Sequence, residues 1–237
     1  MSDEQSGNGT WPTFFADRAR RCHDPALRAF YAAGVPDPEM PIDNVPLMAL
    51  DFETTGMDVH RHAIISIGMV PFDLSRIRPS AGRYWVVRPP RPLDEASIRF
   101  HRITHAEVSG APDLDEVLDE VLAALAGHVV VVHFRGIERP FLDAAVLARR
   151  GERCLFPVID TMSIEARQVR AGWWNRIKAQ FSAGRTSIRL GDTRARYGLP
   201  AYSAHHAKLD ALAAAELLQA QIAWHYSRDT PVGDLWE

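Results

Sequence analysis

Apolar residues recur along the chain in two rhythms, and the change from one to the other divides it. From residue 47 three short stretches are dense in aliphatic, aromatic and β-branched side chains and bounded by Gly or Pro: Leu47–Glu53, Ala63–Phe72 and Arg83–Arg88. Such runs predict strands, and their quick succession predicts antiparallel pairing. The period then lengthens. In DLDEVLDEVLAALAG, residues 113–127, leucines and valines fall at helical spacing behind acids that suit a helix N-terminus. HVVVVHF (128–134) predicts a short buried strand, and ERPFLDAAVLARRG (138–151) an amphipathic helix closed by Gly151. CLFPVID (154–160) predicts a last short strand, after which Thr161 opens a helix. The C-terminal half reads as helical and ends in HHAKLDALAAAELLQAQIAWHY, residues 205–226. Strands first, then helices alternating with strands, predict an α/β fold with a mixed five-stranded sheet flanked by helices.

The residues ahead of the first strand differ in kind. Residues 1–10 are polar and predict a tail without fixed structure, whereas Trp11–Gly34 carries a helical pattern broken near Asp24-Pro25. VPDPEMPIDNVP, residues 35–46, holds four prolines and reads as a linker. The expected organisation is an extension over residues 1–44 and a main domain over 45–237.

Composition adds bounds rather than identity. A chain of 237 residues, 46% hydrophobic and 24% charged, has enough apolar material for one core and is unlike a disordered polymer. A net charge of −3 leaves any nucleic-acid surface to be local. Cys22 and Cys154 are distant in sequence, form no metal or redox motif, and read as reduced thiols. No apolar run approaches the ~18–20 residues of a membrane span. MSDEQSGNGT is the opposite of a secretory signal. The expectation is a soluble, cytoplasmic protein.

Candidate chemistry begins in the first strand. LMALDFETTG, residues 47–56, starts as an oily run and then places Asp51 and Glu53 one residue apart. Residues two apart on a strand share a face, about 7 Å from one another. Buried carboxylates cost several kcal/mol unless compensated. Hydrogen bonds to backbone amides at a capped strand end would suffice for this pair alone. Asp210 shares a helical stripe with Ala213, Ala214 and Leu217, so it faces inward, although a first-turn acid that meets only the helix dipole has the same spacing. Glu138 opens the helix after HVVVVHF and shares a stripe with Phe141, Leu142 and Ala145, with the same alternative. His205 falls at or before the first turn of the last helix.

Together these stretches resemble the three motifs of the DEDDh 3′–5′ exonucleases, the family of the DNA polymerase III proofreading subunit, oligoribonuclease and ribonuclease T. DFETTG carries the first motif, HFRGIERPFLD the second and HHAKLDA the third, with the spacing HxAxxD. IRFHRITHAEVSGAP is similar to the segment beside the family's substrate pocket, and FPVIDT to its late strand. The resemblance covers roughly residues 46–225 and implies a ribonuclease H-like fold that uses two divalent cations, Mg²⁺ or Mn²⁺. It implies Asp51, Glu53, Glu138 and Asp210 as metal ligands, with Asp51 bridging both ions, and His205 as general base. It also implies a pocket for the terminal nucleotide formed by Thr54, Thr55, His101, Ile103 and Thr104. The partner it implies is a nucleic-acid 3′ end, with single-stranded DNA favoured over RNA.

One motif departs from the pattern. The second usually reads His-Asn and then Asp, where this chain has His133-Phe134 and then Glu138. Glutamate keeps the charge and adds a methylene, which predicts an active enzyme that prefers the geometrically tolerant Mn²⁺. The basic and aromatic residues between Arg167 and Arg196 predict either a nucleic-acid face or a solvated helix pair. They are Arg167, Arg170, Arg176, Lys178, Arg185, Arg189, Arg194 and Arg196, interleaved with Trp173, Trp174 and Phe181. The pairs His60/His62 and His101/His105 are not read as transition-metal sites. Two other functions compete with a free-standing exonuclease. One is a binding module that keeps the fold without efficient chemistry; the other is a proofreading subunit acting in trans through a polymerase or repair partner, or as a homodimer.

Overall fold

The computed structural model describes residues 10–91, 103–177 and 186–237, and for His105 and residues 171–177 the backbone alone. The tail of residues 1–9 and part of the Arg167–Arg196 stretch lie outside the described residues.

Five strands form one mixed sheet in the order β3-β2-β1-β4-β5. They are β1 (Leu47–Thr54), β2 (Ile64–Phe72), β3 (Arg83–Val86), β4 (Val129–Val132) and β5 (Val158–Asp160). β1 pairs antiparallel with β2 and parallel with β4, β2 pairs antiparallel with β3, and β4 pairs parallel with β5. Leu47, Met48, Ala49 and Leu50 are all buried, because helices cover both faces of this central strand. Met48, Leu50 and Phe52 point into one core, and Leu47 and Ala49 into the other.

Two predicted strands are shorter in the structure. The run at 128–134 leaves the ladder after Val132, where Phe134 takes a φ of 103° that no strand residue adopts. The run at 154–160 pairs only from Val158. Ahead of it, the Cys154 N–H bonds Asp143 Oδ1, the Leu155 N–H bonds Tyr31 Oη, and Pro157 has no N–H to give.

Eight α-helices lie among the described residues. α1 (Trp11–Arg21) and α2 (Pro25–Ala32) meet at the predicted break, where Asp24 caps α2 by accepting the Leu27 N–H and Pro25 occupies the first helical position. Phe15, Leu27, Phe30 and Tyr31 are buried in the same core as Met48 and Leu50. That core is completed by α4 (Leu114–Leu125) and α5 (Glu138–Arg150), while α3 (His105–Ser109) is a short helix ahead of them. The proline-rich residues 35–46 run against the C-terminal tail: the Ile42 N–H bonds Thr230 O, and the Val232 and Gly233 N–H groups bond Met40 O and Pro38 O.

The opposite face is covered by α8 (Ala207–His225), with α6 (Thr161–Ile177) and α7 (Leu190–Arg196) beside it. Ala211, Ala215, Leu218 and Ile222 of α8 pack on Leu47, Ala49, Val70 and Val131. The closest approach is at Gly68 of β2, the partner of Asp51 in the ladder. A Cβ there would stand 2.2 Å from the Ala207 carbonyl carbon and 2.2 Å from the Lys208 nitrogen. Since both obstructing atoms are backbone, Gly68→Ala must lift the start of α8 off the sheet. The expected loss is about 1–3 kcal/mol, read from urea denaturation, with reduced packing of the first turn of α8.

Candidate active site

β1 is the strand that carries the chemistry, because it outruns its parallel neighbour. It pairs with β4 only through Leu47–Ala49, so Asp51 and Glu53 project beyond that edge. By alternation they continue the Leu47/Ala49 face, the one α8 covers. A bulge between Glu53 and Thr54 ends the regular pairing with β2. The turn that follows is tied internally. Thr54 Oγ1 donates to Gly56 O at 2.9 Å, and Thr55 Oγ1 accepts the Ala63 N–H at 3.0 Å and lies 3.2 Å from His62 Nδ1.

Asp210 arrives from the first turn of α8. Its Oδ2 accepts the His206 N–H at 2.9 Å and its Oδ1 accepts the Tyr202 hydroxyl at 2.7 Å. The close seating of α8 at Gly68 brings this carboxylate to the strand. Oxygens of Asp51, Glu53 and Asp210 all lie within 4.8 Å of one another. His205 is exposed in the turn before α8, with a left-handed φ of 69°.

Glu138, the fourth acid, stands beside this group rather than within it. It is 3% exposed at the start of α5, and its Oε2 is buried without a hydrogen-bond partner. Its place is set by Asp160, which the sequence reading had not singled out. The Asp160 carboxylate accepts the Phe134, Arg135 and Met162 N–H groups and the Ser163 hydroxyl at 2.9–3.2 Å, gathering the turn between β4 and α5. His133 follows β4 and lies between Thr161 Oγ1 at 2.8 Å and Ile188 O at 3.1 Å.

The remaining candidates fall in three groups. Ile103 is buried against Ile65 and Val108, and Thr104 caps α3 in a reciprocal pair with Glu107. His101, Lys178, Arg185 and Phe181 lie outside the described residues, as do the side chains of Trp173, Trp174 and Arg176. Two residues of the expected basic face are corrected by the structure. Arg194 is 1% exposed and paired with Glu216, and Arg196 is bound twice by the buried Glu165. Arginines already neutralised by carboxylates are poor contacts for phosphate.

Gathering like charges has a cost that shows in their acidities. Burial holds the Asp51 carboxyl well above its usual range, reinforced by Glu138, Asp210 and Glu53. Burial also raises Asp210, against the hydrogen bonds from Tyr202 and His206. Glu138 is pushed up to about 8 by burial and by Asp160, although its own N–H and that of Phe52 bond the charged form. Carboxylates that resist ionisation together fit hard divalent cations of the Mg²⁺ or Mn²⁺ kind, because oxygen donors alone make up the set. The unpartnered Glu138 Oε2 fits the same chemistry.

These acidities predict how stability follows pH without cations. A carboxyl whose folded pKa is raised binds its proton more tightly when folded, so stability falls as pH rises from its unfolded value toward the folded one, about 8 for Glu138. His133, held at about 4 by burial, loses stability only as pH falls below 6.5 and does not interfere above it. In EDTA the melting temperature should therefore drop by several degrees between pH 6.5 and 8.5. Glu138→Gln should flatten the slope, and Mg²⁺ should restore the high-pH value. A flat profile in EDTA for the parent protein would show that these groups ionise freely.

Residues 48–218 match the RNase T exonuclease family. The epsilon subunit of DNA polymerase III from Treponema pallidum is 28% identical over 183 residues, covering 77% of this chain and 79% of that protein. The Haemophilus influenzae epsilon subunit is 29% identical over 56% of this chain and 54% of its own length, so the match spans about half of that relative. Among solved structures, the nuclease domain of 3′hExo, a DEDDh member bound to rAMP, superposes with a TM-score of 0.62 at 16% identity, over 79% of this chain and 94% of that one. Exonuclease X in complex with 5′ overhanging duplex DNA gives 0.58 at 21% identity, over 80% and 98%. The overhanging strand, the inward helix acid and the match over most of the length agree, and the chain belongs to the RNase T exonuclease family.

Proposed function

We propose that the protein removes nucleotides from the 3′ end of single-stranded nucleic acid, DNA in preference to RNA, releasing nucleoside 5′-monophosphates. The observation that carries this reading is the convergence of Asp51, Glu53 and Asp210 oxygens within 4.8 Å. Asp51, Glu53 and Asp210 would hold two divalent cations, with Glu138 contributing directly or through a water. When bound, such ions acidify the attacking water and offset charge on the leaving 3′ oxygen. His205, exposed in the turn before α8, takes the proton from that water. Thr54 at the end of β1 and Thr55 in the tied turn that follows stand beside the terminal nucleotide together with the segment at Ile103 and Thr104.

The preference for DNA is supported by the relatives, epsilon subunits of DNA polymerase III. Those names also support a polymerase as partner, with proofreading in trans. α1 and α2 bury their aromatic faces in this chain's own core, so a partner would meet another surface.

The test is a panel of 3′- and 5′-labelled oligonucleotides, DNA and RNA, in Mg²⁺ and in Mn²⁺. Asp51→Asn should abolish mononucleotide release. His205→Ala should lower kcat by about 10²–10⁴-fold with little change in KM. Glu138→Ala should lose more activity in Mg²⁺ than in Mn²⁺. Oligonucleotides that are bound but never shortened would point to a binding module instead, and full activity of Glu138→Ala in Mg²⁺ would remove it from the ligand set.

A further inference from the structure

Asp210 is gripped from two sides. The His206 N–H bonds one carboxylate oxygen at 2.9 Å, and the Tyr202 hydroxyl donates to the other at 2.7 Å. A backbone N–H comes with the helix start; a phenol from eight residues upstream does not. Tyr202 is itself fixed by a buried cation. The Arg194 guanidinium lies over its ring, 4.9 Å from the centroid. Arg194 donates to Pro200 O at 3.0 Å, in the connection between α7 and α8, and to Ala213 O at 2.8 Å, in α8. It also pairs with Glu216 of α8 at 2.7 Å. One cation thus staples the connection that contains Tyr202 and His205 to the helix that carries Asp210.

The chemistry of the contact is that of a fixed donor. The phenol oxygen lies 2.7 Å from Asp210 Oδ1, with the hydroxyl as donor and the carboxylate as acceptor. A carboxylate has roughly four lone-pair sites. The Tyr202 hydroxyl and the His206 N–H take one on each oxygen, the His205 N–H also bonds the carboxylate, and the remaining capacity is left for cations. Groups that hydrogen-bond a metal-binding side chain set its orientation, and losing them typically costs about 10–100-fold in metal affinity.

We infer that Tyr202 is a positioning residue for the cation-binding carboxylate of Asp210, its hydroxyl fixing the carboxylate's rotation while Arg194 carries the same constraint to the connection that presents His205. The inference rests on the reading of Asp210 as a metal ligand.

The experiment is calorimetric titration of Mg²⁺ and Mn²⁺ into substrate-free parent protein, Tyr202→Phe and Asp210→Asn, with melting of the cation-free proteins alongside. Tyr202→Phe keeps the ring under Arg194 and removes only the hydroxyl. The expected result is the parent stoichiometry with about 10-fold weaker cation binding, and a rate that recovers at high cation concentration with KM for the oligonucleotide unchanged. Parent-like affinity in Tyr202→Phe overturns the inference. So does a Tyr202→Phe protein whose only defect is a lower cation-free melting temperature, which marks a packing role. A parent protein that binds no cation, in contrast, overturns the metal reading and this inference with it, whatever the variant does.

Discussion

Mutual repulsion of carboxylates in a cleft closed to most water is the constraint around which the rest of the structure is arranged. Ionised together, carboxylate oxygens within 4.8 Å of one another would repel by on the order of 3 kcal/mol per pair at an effective dielectric of about 20. No local preference of β1 or α8 would bring them together. They are held by what lies behind them: one core that includes the N-terminal helices and a second formed between the sheet and α8. Gly68 is where the two demands meet, since the helix bearing Asp210 can descend to the strand only where the sheet offers no side chain. Packing supplies the force, and the acidities of Asp51, Asp210 and Glu138 record what it opposes.

The parts of this arrangement that depend on local periodicity were legible in the sequence. The alternation of Leu47, Ala49, Asp51 and Glu53 places both acids on one face, and the structure adds only which helix covers that face. The stripe of Asp210 with Ala213, Ala214 and Leu217 predicts an inward acid, and all four are buried. Strand ends were less legible, because they are decided by partners rather than by propensity. HVVVVHF is β-prone to its last residue, yet the chain turns at His133 toward Thr161, and the N–H groups beyond go to Asp160.

Residues that act through distant contacts left almost no local signal. Tyr202 lies in AYSAHHA, which has no period, and its role depends on Arg194 and Asp210 arriving from either side. Counting charges misled for the same reason. Arg194 and Arg196 look like members of a basic face until Glu216 and Glu165, both more than twenty residues away, are seen to hold them. A count of cations along a helix cannot register anions that the fold delivers from elsewhere.

The departure at the second motif can be judged by where its longer acid goes. A glutamate that had lost contact with the chemistry would be free to turn to solvent or to pair with a neighbouring arginine. Glu138 does neither: it is 3% exposed, and its charge is felt directly by Asp51. The Phe52 N–H bonds its carboxylate, which anchors it to the overhanging part of β1, between Asp51 and Glu53 themselves. Its Oε2 is buried without a hydrogen-bond partner. The Phe134 turn, drawn in by Asp160, sets the helix start from which the Glu138 side chain reaches inward. A longer side chain whose carboxylate is bonded by the strand that carries Asp51 and Glu53 has less freedom than its length suggests. Substitution of glutamate for aspartate is, on that geometry, compatible with catalysis.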